Sequence, residues 1–569
     1  MKVQKQLFPI LFLVTFSILF FGCAAPTAST SSHTELQPEA SEEVVRPTPT
    51  PRCVLERSAA ALEPSSYIPI EQVGTYNKSI ITDELLNAPS TLPDATASDL
   101  PYWTGMIAGN KYLVNDIDDN WANTTGKGHF IEEQFKFIGE RGTFNCMRVL
   151  YGMSYLGKDG EPYMIDESEL DQLDEVISWG IKYNLHIMIC VSGMPCKQNA
   201  TMQEEAVQSN EELFADDAIF SVFSDYWVML AKRYADIPSK YLSFELVAEA
   251  AVPEASVSLY EDRLAPVLRA IWEVSPQRIV IVNDVGKQIP EELAKMGACI
   301  SLHNGIATVD GLKQFGINYK GHWPMEYLPG IFCPGADHSV LTLRSDSTFA
   351  AGTIRFYIDR TWSTGKGGLA IRADGVTIYP GDDEESEIIE ATIPEGTKEL
   401  QIEGVHDVLY MYAMELLQPG RTDVLLAVHD LYTTNENEPM PTILIRADGS
   451  TENIDSPQLV LNGDYFETVL MGKAIACAKK YNVGFILSEV GSDTEDLSLS
   501  EYIAYHTEWL KTLQKDHISW MWNYMDNVCG VENRMWPEQI KIASTLLPIE
   551  GTPMFYNKEV FDMLETYSR

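Results

Sequence analysis

Residues 186–191 read HIMICV, residues 242–247 read LSFELV, and residues 278–283 read RIVIVN. Each run is short and largely apolar, which favours a buried β-strand over a helix. Amphipathic helical patterns at Phe220–Tyr234 and Tyr260–Val274 separate the three runs. Buried strands that alternate with amphipathic helices predict a parallel α/β fold.

The same alternation extends along most of the chain. Five further strands share the pattern: Trp103–Ile107, Phe144–Leu150, Ala298–His303, Gly484–Ser488 and Ile518–Trp522. Helical patterns also occur at Glu132–Glu140, Leu170–Tyr183, Thr468–Lys480 and Glu501–Lys515. Eight strands with intervening helices predict a (β/α)8 TIM barrel. A doubly wound open sheet is the alternative, but no glycine-rich phosphate turn follows the first strand, so a dinucleotide site is not supported.

The amphipathic helical patterns are absent between about residues 331 and 460. Here apolar and polar residues alternate in short runs: His338–Arg344, Thr353–Ile358, Gly368–Arg372, Lys398–Ile402 and Val408–Leu416. Turn residues such as Ala373-Asp374-Gly375 punctuate them. The pattern predicts an antiparallel β-sandwich inserted after the sixth barrel strand, on the face where barrel active sites lie.

The first residues are typical of an export signal. Lys2 and Lys5 precede an apolar run, Leu7–Phe21, that is too short to span a bilayer. Gly22-Cys23 follows at once and resembles the bacterial lipoprotein cleavage box. The resemblance implies that Cys23 becomes a lipidated N-terminus, which anchors an exported protein to the bacterial cell envelope. An ordinary signal peptide with a coincidental cysteine is the alternative.

These patterns divide the chain into five parts. Residues 1–22 are the predicted signal peptide, and residues 23–65, rich in Ala, Pro, Ser, Thr and Glu at their start, form a flexible tether. The predicted barrel is split between residues 66–330 and 461–569. The predicted sandwich occupies residues 331–460.

The charge and the cysteine content of the chain argue against two classes of ligand, nucleic acid and zinc. The 82 acidic and 41 basic residues give a formal net charge of −41, which repels phosphate backbones and makes nucleic acid an unsuitable partner. The nine cysteines form no CxxC pair and no spacing with histidine that indicates zinc. Cys146, Cys190 and Cys299 lie in apolar runs and are predicted core residues.

Two glutamates end predicted barrel strands. In the segment FELVAEA (residues 244–250), Glu245 and Glu249 share one face of the strand, and Glu249 lies at its end. In FILSEVG (residues 485–491), three apolar residues precede Ser488 and Glu489. Barrel active sites lie at the C-terminal ends of strands, and glycosidic hydrolysis needs a pair of carboxyl groups. Glu249 and Glu489 are therefore the candidate catalytic pair.

Around these segments the chain resembles glycoside hydrolase family 5, the cellulase-like family, over roughly residues 100–330 and 460–540. FNCMRV at 144–149 is similar to the second strand of the family, so Arg148 maps to the arginine that supports the nucleophile. Glu249 falls on the acid/base position and Glu489 on the nucleophile. His303 matches a histidine that ends strand six. Trp522 falls near the substrate-stacking tryptophan, and Trp520 is its alternative.

The chain departs from the family pattern at several positions. Ala248 replaces the asparagine that contacts the sugar 2-hydroxyl, and Ala250 replaces a proline. Ser192 stands where a histidine is expected. His429 in HDLY is a second candidate for the role of His303.

The resemblance implies a retaining glycoside hydrolase acting on a neutral glycan, with no metal or organic cofactor. Glu489 attacks the anomeric carbon while Arg148 keeps it ionised, Glu249 protonates the leaving oxygen, and the two carboxyl groups lie roughly 5–5.5 Å apart. Because of Ala248 and Ser192, a carbohydrate-binding surface lipoprotein with weakened catalysis is the main alternative. A solute-binding lipoprotein of a transporter is a third. The sandwich is either a carbohydrate-binding module or a structural insert that shapes the cleft.

Overall fold

The computed structural model covers most of the predicted barrel and sandwich. It describes residues 67–108, 132–152, 164–193, 213–248, 250, 252–253, 256–285, 288–303, 315–316, 325–326, 331–332, 340–360, 367–383, 385–406, 409–427, 440–455, 460–491, 499–522, 529–530, 545–550 and 555–568. The predicted signal peptide, Cys23 and the predicted tether lie outside the described residues, as do Glu249, His429 and the side chain of Ser192.

Eight parallel strands close into a barrel. Numbered among all strands along the chain, they are β2 (Thr104–Ala108), β3 (Cys146–Gly152), β5 (His186–Gly193), β6 (Leu242–Glu245), β7 (Ile279–Asn283), β8 (Cys299–His303), β22 (Phe485–Val490) and β23 (Ser519–Trp522). Each strand pairs with the next, and β23 pairs with β2 to complete the circle. The closed ring confirms the predicted TIM barrel and rules out the open sheet.

The described helices have the bounds α1 (Asp83–Leu86), α2 (Glu132–Glu140), α3 (Glu167–Tyr183), α4 (Asp217–Arg233), α5 (Val257–Val274), α6 (Glu291–Met296), α7 (Gly463–Tyr465), α8 (Gly472–Tyr481), α9 (Leu499–Asp516) and α10 (Lys558–Tyr567). Of these, α1 precedes the first barrel strand, α10 follows the last, and the others lie between barrel strands. Side-chain caps fix the N-terminal ends of two of these helices. The Asp216 carboxylate accepts hydrogen bonds from the first amides of α4, and Ser256 caps α5 in the same way. The helix predicted at Thr468–Lys480 is divided, because a π-helical turn (Phe466–Leu470) precedes α8.

Two layers of apolar side chains hold the barrel. The inner layer fills its interior and includes Ile107, Cys146, Met188, Ile281, Cys299, Ile486 and Met521. The outer layer packs the strands against the helices. Cys146, Cys190 and Cys299 are fully buried, as predicted from their apolar surroundings. Within the described residues no helix is long and apolar enough to cross a bilayer.

A polar cluster closes the N-terminal end of the barrel. The His186 ring is fully buried and stacks on Trp103, with the ring centroids 3.8 Å apart. Its two nitrogens lie 2.7 Å from the Ser243 hydroxyl and 3.0 Å from the Lys240 carbonyl oxygen. Burial lowers the pKa of His186 to about 3, so the ring is neutral in the folded protein at neutral pH.

The inserted sandwich consists of two sheets whose inner faces share one apolar core. The first holds β10 (Ile331–Phe332), β12 (Gly352–Asp359), β15 (Ile388–Ile393), β17 (Leu409–Leu417) and β18 (Val424–Ala427). The second holds β11 (Val340–Ser345), β13 (Gly368–Ala373), β14 (Val376–Tyr379), β16 (Glu399–Val405), β19 (Thr442–Ile445) and β20 (Thr451–Asn453). All pairs are antiparallel except β11 with β19. The predicted turn at Asp374-Gly375, where both residues have positive φ, joins β13 to β14.

The two connections between barrel and sandwich meet each other. Strand β9 (Met325–Glu326) precedes the sandwich, β21 (Val460–Leu461) follows it, and the two pair antiparallel. From the first connection, the Phe315 ring packs on Tyr357 and Tyr412 of the sandwich. The remaining short strands are β1 (Tyr67–Pro69), β4 (Met164–Asp166), β24 (Cys529–Gly530), β25 (Leu546–Pro548) and β26 (Phe555–Asn557).

Replacing His186 with glutamine should flatten the loss of stability on acidification. Histidine in the unfolded chain titrates near 6.5, whereas folded His186 titrates near 3. As the pH falls from 6.5 towards 3, the unfolded state binds the additional proton and the native state loses stability, by roughly 2 kcal/mol at pH 5. Urea unfolding at pH 7 and pH 5 measures this loss, which should be smaller in the variant.

The control is His517→Asn, because His517 is exposed and its positive φ suits asparagine. This variant should keep the acid dependence of the wild type. An equal flattening in both variants, or none in His186→Gln, would contradict the assignment to His186.

Candidate active site

Arg148 is the centre of a buried ion-pair cluster inside the barrel. Its side chain extends from β3 and is fully buried. Arg148 Nε donates to Glu245 Oε2 at 2.5 Å and Nη2 donates to Glu245 Oε1 at 3.2 Å, so this carboxylate is held at two points. Nη2 also lies 3.2 Å from Cys190 Sγ on the neighbouring strand β5. The guanidinium plane is therefore fixed from two adjacent strands.

Glu489 binds the same guanidinium from the other side of the barrel. Arg148 Nη1 donates to Glu489 Oε1 at 2.6 Å, and the Glu489 side chain is buried. The contact joins β3 to β22 near the C-terminal ends of the strands. The structure therefore brings together Arg148 and Glu489, two of the site residues predicted from the sequence.

An irregularity in β22 aims Glu489 into the barrel. The pairing register with β8 shifts between Leu487 and Glu489, so Ser488 is an additional residue in the strand. Ile486 faces the barrel interior while Val490 packs in the outer layer, and the shift lets Glu489 face inward between them. The Ser488 hydroxyl accepts a hydrogen bond from the Ser301 hydroxyl of β8, with 2.5 Å between the oxygens.

The cluster keeps Arg148 charged. Burial opposes the guanidinium charge, but Cys190, Glu245 and Glu489 together raise the pKa of Arg148 well above its usual value. Burial also raises the pKa of the Cys190 thiol well above its usual range, and Glu245 and Glu489 add to this effect against Arg148. The thiol is therefore neutral at physiological pH. The site consists of one permanent cation, a neutral thiol and two carboxyl groups.

The structure describes the other predicted site residues in part. Glu249 lies outside the described residues. The segment before it stays bonded to the neighbouring strands, since the Leu246 amide donates to the Ile281 carbonyl and the Ala248 amide to that of Val191. His303 ends β8 and is paired in register with Glu489. The side chain of His303 lies outside the described residues, so its role in the site stays a prediction. The separation of the two predicted catalytic carboxyl groups stays a prediction.

Trp522 ends β23 close to Glu489 but is 1% exposed. Its ring packs edge-on against His506 of α9, with centroids 5.0 Å apart, and lies against Gly491. Trp520 is also buried, and its indole N–H donates to the Tyr102 hydroxyl. Both Trp520 and Trp522 pack in the outer layer of the barrel. The stacking of Trp522 on a sugar stays a prediction.

The sequence pattern places Glu245 on the same strand face as Glu249 but gives it no partner. Two features of the sequence could have indicated the pair of Glu245 with Arg148: Glu245 shares a strand face with Glu249, and Arg148 lies in a nearby strand. Among the described residues, no group of three His, Cys, Asp or Glu side chains could hold a metal ion.

Residues 107–318 match the family model described as cellulase, glycosyl hydrolase family 5. The chain is a glycosidase. The matched segment runs from the first barrel strand to beyond the sixth and contains Arg148 and Glu245. It supports the resemblance to family 5 and ends before Glu489. No curated protein matches the glycosidase.

Solved structures resemble the glycosidase at low identity. One described as a glycoside hydrolase is 14% identical with a TM-score of 0.44, over 82% of this chain and 99% of that one. Endoglucanase Cel5A of the hyperthermophilic Thermotoga maritima is 14% identical with a TM-score of 0.37, over 74% and 89%. The cellulose synthase subunit Z of Clostridioides difficile is 12% identical with a TM-score of 0.36, over 74% and 91%. All three TM-scores are below 0.5, and none bears on the substrate of this glycosidase.

Replacing Gly491 with alanine should disturb Trp522 as well as the backbone. Gly491 has a φ of +103°, and a Cβ there would lie 3.0 Å from Trp522 Cε2. We expect a loss of about 1–2 kcal/mol from the left-handed backbone alone, and a further loss from displacement of the ring. Urea unfolding measures the stability, and near-ultraviolet circular dichroism reports on the tryptophan environment.

Gly297→Ala is the matched control. Gly297 has a φ of +111° at the end of α6, but nothing lies within 4 Å of the added Cβ. It should lose only the backbone contribution and keep the wild-type spectrum. Equal losses and unchanged spectra in both variants would show that the contact with Trp522 is unimportant.

Proposed function

We propose that this glycosidase is a retaining enzyme in which Glu489 is the nucleophile and Glu249 the acid/base. The observation that supports this proposal is the 2.6 Å ion pair between Arg148 and Glu489, buried at the C-terminal end of the barrel. The charge-assisted hydrogen bond from this permanent cation orients the Glu489 carboxylate. An ionised carboxylate is what a nucleophile requires.

The proposed reaction has two steps. Glu489 attacks the anomeric carbon while Glu249 protonates the departing glycosidic oxygen, which leaves a glycosyl ester on Glu489. Glu249 then takes a proton from water, which hydrolyses the ester and restores Glu489. Net retention follows from two inversions at the same carbon. A spacing of roughly 5–5.5 Å between the two carboxyl groups is expected for this route.

We propose a neutral glycan as the substrate. The net charge of −41 disfavours an anionic polysaccharide near the protein surface. The shell around the reacting sugar differs from the family pattern at Ala248, whose methyl group, 7% exposed, offers no hydrogen bond to a sugar hydroxyl. The sugar is therefore expected to be oriented mainly by other side chains of the cleft.

Glu489→Ala and Glu249→Ala should each lower hydrolysis by about 10³-fold or more, because each removes a carboxyl group needed in the transition state. Reducing-sugar release from a panel of neutral polysaccharides, together with aryl glycosides, measures the activity. Nuclear magnetic resonance of the first product should show the anomeric configuration of the substrate. An inverted product would rule out the retaining route.

Glu390→Ala is the matched control, because Glu390 pairs with Arg355 on the sandwich surface. It should keep wild-type activity. A wild type that binds glycans but releases no product from any substrate of the panel would instead support the carbohydrate-binding lipoprotein.

We also propose that Cys23 carries a lipid that anchors the enzyme to the bacterial envelope. The apolar run Leu7–Phe21 followed by Gly22-Cys23 supports this proposal. Cys23→Ser should move the protein from the membrane fraction to the soluble fraction and abolish labelling with radioactive palmitate. Cys53→Ser, a change at the second cysteine of the N-terminal region, is the control and should remain membrane-bound. Unchanged fractionation of Cys23→Ser would refute the anchor.

A further inference from the structure

Glu245 and Glu489 both accept hydrogen bonds from Arg148, and Glu245 accepts more of them. Two nitrogens of Arg148 donate to the two oxygens of Glu245, at 2.5 and 3.2 Å, whereas Nη1 donates to Glu489. Arg148 and Glu245 have no exposed side-chain surface, so water does not screen the charges. The buried cluster contains one cation between two carboxyl groups.

We infer that Glu245 is a positioning residue that neutralises Arg148, so that the negative charge of Glu489 stays available to the sugar during the reaction. This inference rests on the proposed function, because it assigns Glu489 as the nucleophile. Glu245 acts through Arg148, the residue that it contacts.

The charges of the three groups change along the reaction. With both carboxyl groups ionised, Arg148, Glu245 and Glu489 sum to −1, which attracts the positive charge that develops on the sugar ring. When Glu489 becomes an ester, Arg148 and Glu245 remain as a neutral pair. Without the charge of Glu245, the ester would leave a buried cation uncompensated, which is strongly unfavourable. Glu245 is therefore needed most when the glycosyl ester forms.

Other ionisable groups face the same cluster. Their described members are the buried thiols of Cys146 and Cys190 and the Tyr260 hydroxyl, and Asp284 acts on that hydroxyl. Burial raises the pKa of both thiols and of Tyr260, and the charge of Glu245 adds to each of these shifts. These three groups are neutral at physiological pH. The side chains of Glu249 and His303 lie outside the described residues, and both are kept unchanged in the variants below.

The test uses covalent trapping with 2,4-dinitrophenyl 2-deoxy-2-fluoro-β-cellobioside. The dinitrophenolate leaves without a proton, so the trapping rate follows the ionisation and charge of the nucleophile and does not require the acid/base. Attack on the anomeric carbon forms the ester bond to Glu489 Oε and expels the phenolate. Peptide mass spectrometry locates the ester, and regain of activity after dilution measures its hydrolysis.

Glu245→Gln keeps the shape of the side chain and removes its charge. We expect trapping to slow by about tenfold or more, because the ester now leaves Arg148 uncompensated. Hydrolysis of the ester, which restores the carboxylate beside Arg148, should be as fast as in the wild type or faster.

Glu390→Gln is the matched control, because it makes the same change in a carboxylate that pairs with Arg355 on the sandwich surface. It should be trapped at the wild-type rate. A Glu245→Gln variant that slows both trapping and ester hydrolysis has lost only structure and overturns the inference. A wild type that is labelled on a residue other than Glu489 refutes the proposed function instead, so the two failures are distinguishable.

A pair of variants provides a second test if Glu245→Gln does not fold. Arg148→Met leaves Glu245 as a buried carboxylate with no guanidinium beside it, which should slow trapping. Adding Glu245→Gln to Arg148→Met should restore part of the trapping rate, since both charges of the pair are then absent. A further loss in the double variant would overturn the inference.

Discussion

The buried ion-pair cluster at Arg148 is the interaction on which the candidate site depends. A guanidinium inside a barrel is tolerated only when its charge and its N–H groups are satisfied, and here two carboxylates and a thiol from three other strands do so. The cluster links β3, β5, β6 and β22 across the interior. The geometry of Glu489, the proposed nucleophile, is therefore part of the packing of the barrel.

The barrel was predictable because its signal is repeated eight times. Each strand is a short apolar run between amphipathic helical patterns, so a boundary error of two residues, as at the end of β6, leaves the topology unchanged. The sandwich was predictable for the same reason, through its period of two and turns such as Asp374-Gly375. Arg148 and Glu489 were found because both lie in strands whose neighbours resemble a known family.

Other features of the site depend on contacts that no local pattern encodes. Strict alternation from Ile486 would turn Glu489 away from the interior, and the additional residue Ser488 reverses that orientation. The pairing of Glu245 with Arg148 joins residues 97 positions apart. The burial of Trp522 depends on His506 and Gly491, which come from a helix and a strand exit. Each is decided by tertiary packing.

The antiparallel pair β9–β21 has a consequence for how the chain tolerates its insert. The entry and exit of the sandwich lie side by side, so the two ends of the insert are already held together. The length of the insert therefore adds little to the entropic cost of loop closure. The sandwich also has its own apolar core. It is thus a module that could be exchanged or shortened at this junction while the barrel and the Arg148 cluster keep their structure, as in other domain insertions at adjacent termini.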